Sequence, residues 1–136
     1  MAYWLIKSEP DAFSLDDFRK EKVTVWYGVR NYTARINLRA MKLGDVCIFY
    51  RSVMKPAAIA LARVVREHYP DPTAEGDTWS AVDVELVEEF RREVPLSTIK
   101  ITPELQSMAL LKLSRLSVQP VTAEEFDTLY KMSFEL

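Results

Sequence analysis

Asp45-Val-Cys-Ile-Phe-Tyr-Arg-Ser52 contains five consecutive apolar or aromatic residues, Val46 to Tyr50, so the strand it predicts is apolar on both faces. A half-exposed strand alternates apolar and polar positions, whereas a strand covered on both sides does not, and this one belongs inside a sheet rather than at its edge. On its C-terminal side, the Lys55-Pro56 step is a connection, and Ala57 to Glu67 predicts a longer strand in which Ile59 and Leu61 alternate. On its N-terminal side, Ala2-Tyr-Trp-Leu-Ile-Lys-Ser8 predicts another strand apolar on both faces, stopped by Pro10. Val82, Val84 and Leu86 alternate with Asp83 and Glu85 in a half-buried strand, reached through a surface loop marked by Tyr69-Pro-Asp-Pro72 and Gly76. At least four strands therefore lie in the interior.

Helical signals separate these strands. Ser14 is an N-cap with acidic residues in the following turn, and Phe13 and Phe18 stand at the staple positions of a helix over about 15–21. From Asn31 to Leu43, Tyr32, Ile36, Ala40 and Leu43 recur at helical spacing as the apolar face, Arg35, Arg39 and Lys42 share the other face, and Gly44 ends the helix. Pro95 opens a second helical region, in which Thr102-Pro103 leads into a helix from Glu104 to about Ala109. Ser114 to Pro120 reads as a strand or extended segment. Thr122-Ala-Glu-Glu125 is a capping box, with a Val121–Phe126 staple, for a closing helix that runs to about Met132. Short mixed elements, with strands from both ends of the chain, predict an α+β fold around a small, strongly bent sheet or barrel.

The chain has 136 residues, 49% hydrophobic and 28% charged, the composition of one globular domain. No segment approaches the roughly 20 apolar residues that span a bilayer. Lys7 and Glu9 interrupt the stretch where a signal peptide needs an apolar run, so the cytoplasm is the expected compartment and no membrane partner is expected. The single Cys47 and single His68 exclude an internal disulfide, a multi-cysteine zinc site and any triad that needs a second histidine. No metal and no cofactor are expected. Eighteen Lys and Arg stand against twenty Asp and Glu, a net charge of −2, so there is no global field that draws nucleic acid. The charges are nonetheless segregated. Trp26 to Leu43 holds Arg30, Arg35, Arg39 and Lys42 with no acidic residue, whereas Glu67 to Glu93 holds nine acidic residues and two arginines.

Trp26-Tyr-Gly-Val-Arg-Asn31 places an aromatic, a glycine, a cation and an amide just before a helix N-terminus, where free N–H groups favour an anion. The same residues also suit an aromatic core anchor followed by an Asn N-cap. Arg35, Arg39 and Lys42, at i, i+4 and i+7, form a stripe along which a phosphate backbone fits, or a solvated helix face. Adjacent Asp16 and Asp17 diverge on a helix and serve as N-terminal charge; His68 sits at a strand end, and Cys47 lies in the most apolar strand with no cation beside it to lower its pKa. None of these supplies a nucleophile.

Four blocks carry a resemblance: Trp4-Leu-Ile-Lys-Ser-Glu-Pro10, Trp26-Tyr-Gly-Val-Arg-Asn-Tyr-Thr-Ala-Arg35, Gly44-Asp-Val-Cys-Ile-Phe-Tyr-Arg-Ser52 and Ser114-Arg-Leu-Ser-Val-Gln-Pro120. Together with Tyr69-Pro-Asp-Pro72, in this order over nearly the whole chain, they resemble the EVE domain family. The resemblance implies one EVE domain over 1–136 with a PUA-like fold, a compact β-barrel of mixed strands with peripheral helices, related to YTH and ASCH domains and associated with modified bases in DNA or RNA. It also implies a ligand site made of Lys7 and Ser8 at a strand end, Trp26, Val29 and Asn31 in the turn, Tyr50, Arg51 and Ser52 at the end of a barrel strand, and Leu116, Ser117 and Val118 beside them. Trp26 would stack a flipped base, Ser8, Asn31 and Ser117 would satisfy its polar edge, and Arg30, Arg35, Arg39 and Lys42 would hold flanking phosphates. Tyr27 stands where the family often has aspartate, Arg51 where it often has histidine and Ala60 where glycine is common. The expected function is a non-catalytic reader of a modified or extruded nucleobase. The alternatives are an ASCH-like hydrolase of modified nucleosides that uses Lys7 and Glu9, and a protein-interaction module that uses the acidic second half.

Overall fold

A computed structural model describes residues 1–135. The elements run β1 (Tyr3–Ser8), α1 (Leu15–Glu21), β2 (Val23–Trp26), α2 (Tyr32–Ala40), β3 (Val46–Arg51), β4 (Ala57–Pro70), β5 (Ser80–Pro95), α3 (Leu96–Lys100), a 3-10 turn (Pro103–Leu105), α4 (Ala109–Lys112), β6 (Val118–Val121) and α5 (Ala123–Met132). Six strands form one sheet in the order β2-β5-β4-β3-β1-β6, in which β1 and β3 are parallel and every other pair is antiparallel.

The apolar strand β3 lies between β4 and β1, as its two apolar faces require. Cys47 and Phe49 point to one side, where Trp4, Ile6, Phe18, Trp26, Leu38 and Met41 form a core under α1 and α2. Ile48 and Tyr50 point to the other, where Leu5, Ile99, Leu110, Phe126 and Leu129 form a second core under α3, α4 and α5. The expected capping box of Thr122 and Glu125 starts α5, and the N-cap at Ser14 proves to be a full box with Asp17 at the start of α1. The first staple also forms, with the Phe13 and Phe18 rings 5.5 Å apart.

Among the described residues no ladder joins β2 to β6, so the sheet is not closed into a barrel by strand pairing. It bends through register shifts along β4 and β5, and α2 lies across the remaining seam, packed on β6, β5 and β4. Asn37 Nδ2 donates to the Val118 carbonyl at 2.7 Å and Arg39 Nε to Ser80 Oγ at 2.9 Å, so side chains of α2 tie it to β6 and to the start of β5 across the open seam.

Several boundaries and one face differ from the sequence reading. The helix from Asn31 stops at Ala40, with Met41 extended, so Lys42 lies beyond it and off the stripe. Its buried residues are Ala34 and Leu38, followed by Met41, while Tyr32, Ile36, Ala40 and Leu43 are exposed. Both sets have helical spacing, and the bonds of Asn37 and Arg39 to the sheet select the first. β2 was not expected: four residues directly after a helix carry too little alternation to announce a strand. β4 extends through Tyr69 and Pro70, leaving 71–79 as the loop, and β6 begins only at Val118. The helix expected over 104–109 is instead a 3-10 turn and a short α4, because Gln106 Nε2 reaches back to the carbonyls of Lys100 (3.0 Å) and Thr102 (2.7 Å).

Two buried carboxylates fix the joints. Asp45 accepts from Trp4 Nε1 at 3.0 Å and from the N–H groups of Ala2 and Lys42, locking the start of β3 to β1. Asp71, with no exposed side-chain surface, accepts from the N–H of Gly28 (2.8 Å), from Arg30 Nη1 (3.0 Å), and from the N–H (2.7 Å) and hydroxyl (2.6 Å) of Thr73. Gly28 needs φ +83°, a left-handed conformation that glycine adopts without cost, to turn its N–H to this carboxylate. Burial of Asp71 opposes its charge, but the donors from Thr73, Gly28 and Arg30 outweigh burial and hold its pKa at about 2.

Because this folded-state pKa lies below that of the unfolded chain, near 4, the folded state binds fewer protons in that interval. The stability due to Asp71 is therefore complete above about pH 4 and is lost as pH falls towards 2, amounting to about 2 kcal/mol. Urea denaturation of Asp71→Asn at pH 7 should show a loss of about that size, and between pH 4 and pH 2 its stability should fall less steeply than that of the wild type.

Candidate functional site

Between the C-terminal end of β1 and the strand–turn segment 24–31 lies a cleft of about 490 Å³, within the range of small-molecule sites. One wall is β1 and its continuation, Lys7, Ser8, Glu9, Ala12 and Phe13. The other is Glu21, β2 and the turn that follows, from Thr24 to Asn31, and Ser117, just before β6, completes the rim. The cleft sits at the seam of the open sheet, where β2 and β6 do not pair. Asp71 holds the turn, and the N-cap bond from Ala34 N–H to Asn31 Oδ1, 2.9 Å, anchors its end to α2.

Seven of the expected site residues meet here: Lys7, Ser8, Trp26, Val29, Arg30, Asn31 and Ser117. Trp26 is only 8% exposed and packs edge-on against Phe13 and Phe49 at ring distances of 6.1 and 5.9 Å, so one residue both anchors the core and lines the cleft. Tyr27 beside it is 58% exposed at the mouth. Ser8 Oγ donates to the Phe13 carbonyl (2.6 Å), which leaves it an acceptor towards the cleft. The Asn31 amide N–H groups and the hydroxyls of Thr24 and Ser117 have no intramolecular partner among the described residues. Lys7 Nζ donates to the Ser114 carbonyl (2.7 Å), and partial burial lowers its pKa.

The other expected residues lie elsewhere. Tyr50 points away from the cleft into the second core, 2% exposed, where burial pushes its phenol up to about 12. The reason is parity: Phe49 faces the cleft side, so its neighbour cannot. Arg51 binds both Glu93 oxygens (2.9 and 2.6 Å) and the Lys55 carbonyl beside a separate, smaller cavity of about 220 Å³. Phe13 and Ser8 line both cavities. Ser52 donates to the Ser8 carbonyl, and Leu116 and Val118 are core residues. Arg35 Nη1 and Arg39 Nη2 donate to the Thr78 carbonyl at 2.8 and 3.1 Å, and the Arg35 guanidinium lies over the rings of Tyr32 and Trp79. Sequence reasoning read Phe13 only as a helix staple and gave Thr24 and Val25 no role, since β2 itself was not recognised.

The cleft offers donors and acceptors around an aromatic floor, the combination that binds a planar heterocycle by its face and its polar edge. Among the described residues no three His, Cys, Asp or Glu side chains are grouped to hold a metal, Cys47 is buried, its thiol pKa raised by burial, in the core, and His68 lies exposed on the outer half of β4. No helix is long and apolar enough to cross a membrane.

A model of the EVE domain matches residues 2–132. Thymocyte nuclear protein 1 of Homo sapiens is 39% identical over 160 residues, covering 93% of this chain and 71% of that protein. The crystal structure of human THYN1 protein in complex with 5-methylcytosine-containing DNA superposes with a TM-score of 0.92 at 35% identity, covering 100% of this chain and 99% of that one. The YTH domain of Zygosaccharomyces rouxii MRB1 protein, solved with N6-methyladenosine RNA, superposes with a TM-score of 0.59 at 12% identity, covering 97% of this chain and 86% of that one, a likeness of fold alone. Matched by the family model over nearly its whole length, this chain belongs to the EVE domain family.

Proposed function

We propose that this protein is a non-catalytic reader that binds nucleic acid and holds a methylated or extruded nucleobase in the cleft between β1 and β2. The observation that carries this reading is the cleft itself: an aromatic floor and mouth, Phe13, Trp26 and Tyr27, ringed by the unpartnered polar groups of Thr24, Asn31 and Ser117. Aromatic stacking accepts any base, and hydrogen bonds to its edge select among bases. The human relative crystallised with 5-methylcytosine DNA makes that base the first ligand to test. In fold terms we read the bent sheet as PUA-like, with α2 standing in for the missing closure of the barrel.

Phosphate contacts follow from the charge placement. Arg30, at the mouth, is paired with Asp71. Arg35 and Arg39 donate to uncharged acceptors, and with Lys42 they have no carboxylate within 4 Å among the described residues, so their positive charge is not neutralised. Arg35 and Arg39 lie on α2 and Lys42 just past its C-terminal end, and they give the nucleic-acid backbone a positive face.

A second reading, hydrolysis of a modified nucleoside, draws on Lys7 and Glu9, which both line the cleft. Incubation with 5-methyl-2′-deoxycytidine followed by mass analysis should return the nucleoside unchanged; a hydrolysed or deaminated product would establish the enzyme instead. Asn31→Asp keeps a good N-cap for α2 but removes the amide donor, so affinity for a 5-methylcytosine oligonucleotide should fall about tenfold with little change in melting temperature. The double variant Arg35→Gln, Arg39→Gln should weaken oligonucleotide binding and reduce the slope of log K against log salt by about 0.9 for each phosphate contact removed, without altering binding of the free nucleoside.

A further inference from the structure

The β2 wall of the cleft is a sheet edge. β2 pairs with β5 on one side and, among the described residues, with no strand on the other. Its register runs from Val23↔Glu85 to Trp26↔Val82. The bond that opens this ladder, from Leu86 N–H to the Lys22 carbonyl at 2.8 Å, fixes which peptides face which way. In an antiparallel pair, residues that exchange main-chain hydrogen bonds alternate with residues whose N–H and C=O point outward. Lys22 faces β5, so Thr24 and Trp26 face it too, and Val23 and Val25 present their N–H and C=O to the open side. Of these two, Val25 lines the cleft.

The side chains alternate as well: Thr24 and Trp26 are buried, and Val25 is half-buried. At Val25 the cleft therefore meets a main-chain donor and a main-chain acceptor on a strand held rigid by β5. An unpaired N–H and C=O in a concave site need a partner, and a strand edge takes one by hydrogen bonding in its own plane.

Resting on the reading of the cleft as a nucleobase site, we propose that the Val25 N–H and C=O read the Watson–Crick edge of the inserted base, which lies against β2 where the next strand of a closed sheet would run. A cytosine ring supplies the complement: its N3 accepts from the Val25 N–H and its N4 amino group donates to the Val25 carbonyl. The ligand class this selects is a base modified away from that edge. A 5-methyl group leaves both atoms free, whereas a 3-methyl group blocks the acceptor.

Proline at position 25 removes the N–H without removing a ladder bond, because an outward-facing edge position is where a strand tolerates proline. Val25→Pro should keep its melting temperature within a few degrees and bind an oligonucleotide carrying one 5-methylcytosine at least tenfold more weakly. Amide exchange in the wild type gives a reading that does not depend on the variant folding: Val25 N–H should exchange fast while Thr24 and Trp26 are protected, and should slow when the oligonucleotide binds. The same oligonucleotide with 3-methylcytosine should bind no better than unmodified DNA of unrelated sequence. A protected Val25 N–H in the free protein, undiminished binding by folded Val25→Pro, or equal affinity for the 3-methyl and 5-methyl oligonucleotides would overturn this inference alone. A wild type that binds none of these oligonucleotides would overturn the nucleobase reading of the cleft and this inference with it.

Discussion

The site depends on the charge of Asp71, a carboxylate without exposed surface that gathers donors from the turn after β2 and from its own loop. Gly28 and Arg30 have no ladder partners of their own, so this acceptor fixes the turn that carries the cleft's second wall beyond β2. The carboxylate acts as the missing main chain would, and four hydrogen bonds that outweigh burial keep its pKa low. Asp45 plays the equivalent part at the opposite end of α2, where it ties Lys42 to Trp4 and Ala2.

Between these two anchors the sheet remains unclosed. β2 and β6 lie at its two ends, α2 covers the seam with Asn37 and Arg39, and the cleft occupies the part that α2 leaves open. A closed barrel of this size is filled by its own side chains, whereas an incomplete closure leaves room and an unpaired strand edge in the same place. The open space of the cleft thus comes from unfinished pairing, and the four-residue length of β2 limits the hazard that a free edge presents.

Much of the fold was legible because its signals are local. Two apolar faces on Val46–Arg51 require a central strand, and the boxes at Ser14 and Thr122 mark helix starts through bonds within four residues. The Trp26–Asn31 segment, singled out by its residue types, forms one wall of the cleft. What sequence could not supply was the outcome of competition between equal patterns. Ala34, Leu38 and Met41 form as regular a stripe as Tyr32, Ile36, Ala40 and Leu43, and bonds to distant strands decide which is buried. Tyr50 illustrates a parity limit: family likeness brings a strand end to the site, but a single-residue alternation sends Phe49 to one side and Tyr50 to the other. Phe13 shows the reverse, a residue fully explained by helix capping that also forms a cleft wall.

The central claim is that the β1–β2 cleft takes a modified base. Amide chemical-shift mapping of the isotope-labelled protein, titrated with an oligonucleotide carrying a single 5-methylcytosine, tests it most directly. The account predicts that the largest shifts fall on residues 7–9, 24–31 and 117, with those of the outer β4–β5 arm unmoved. Shifts confined to that arm or to the α3–α5 face, with the cleft amides unchanged, would contradict it.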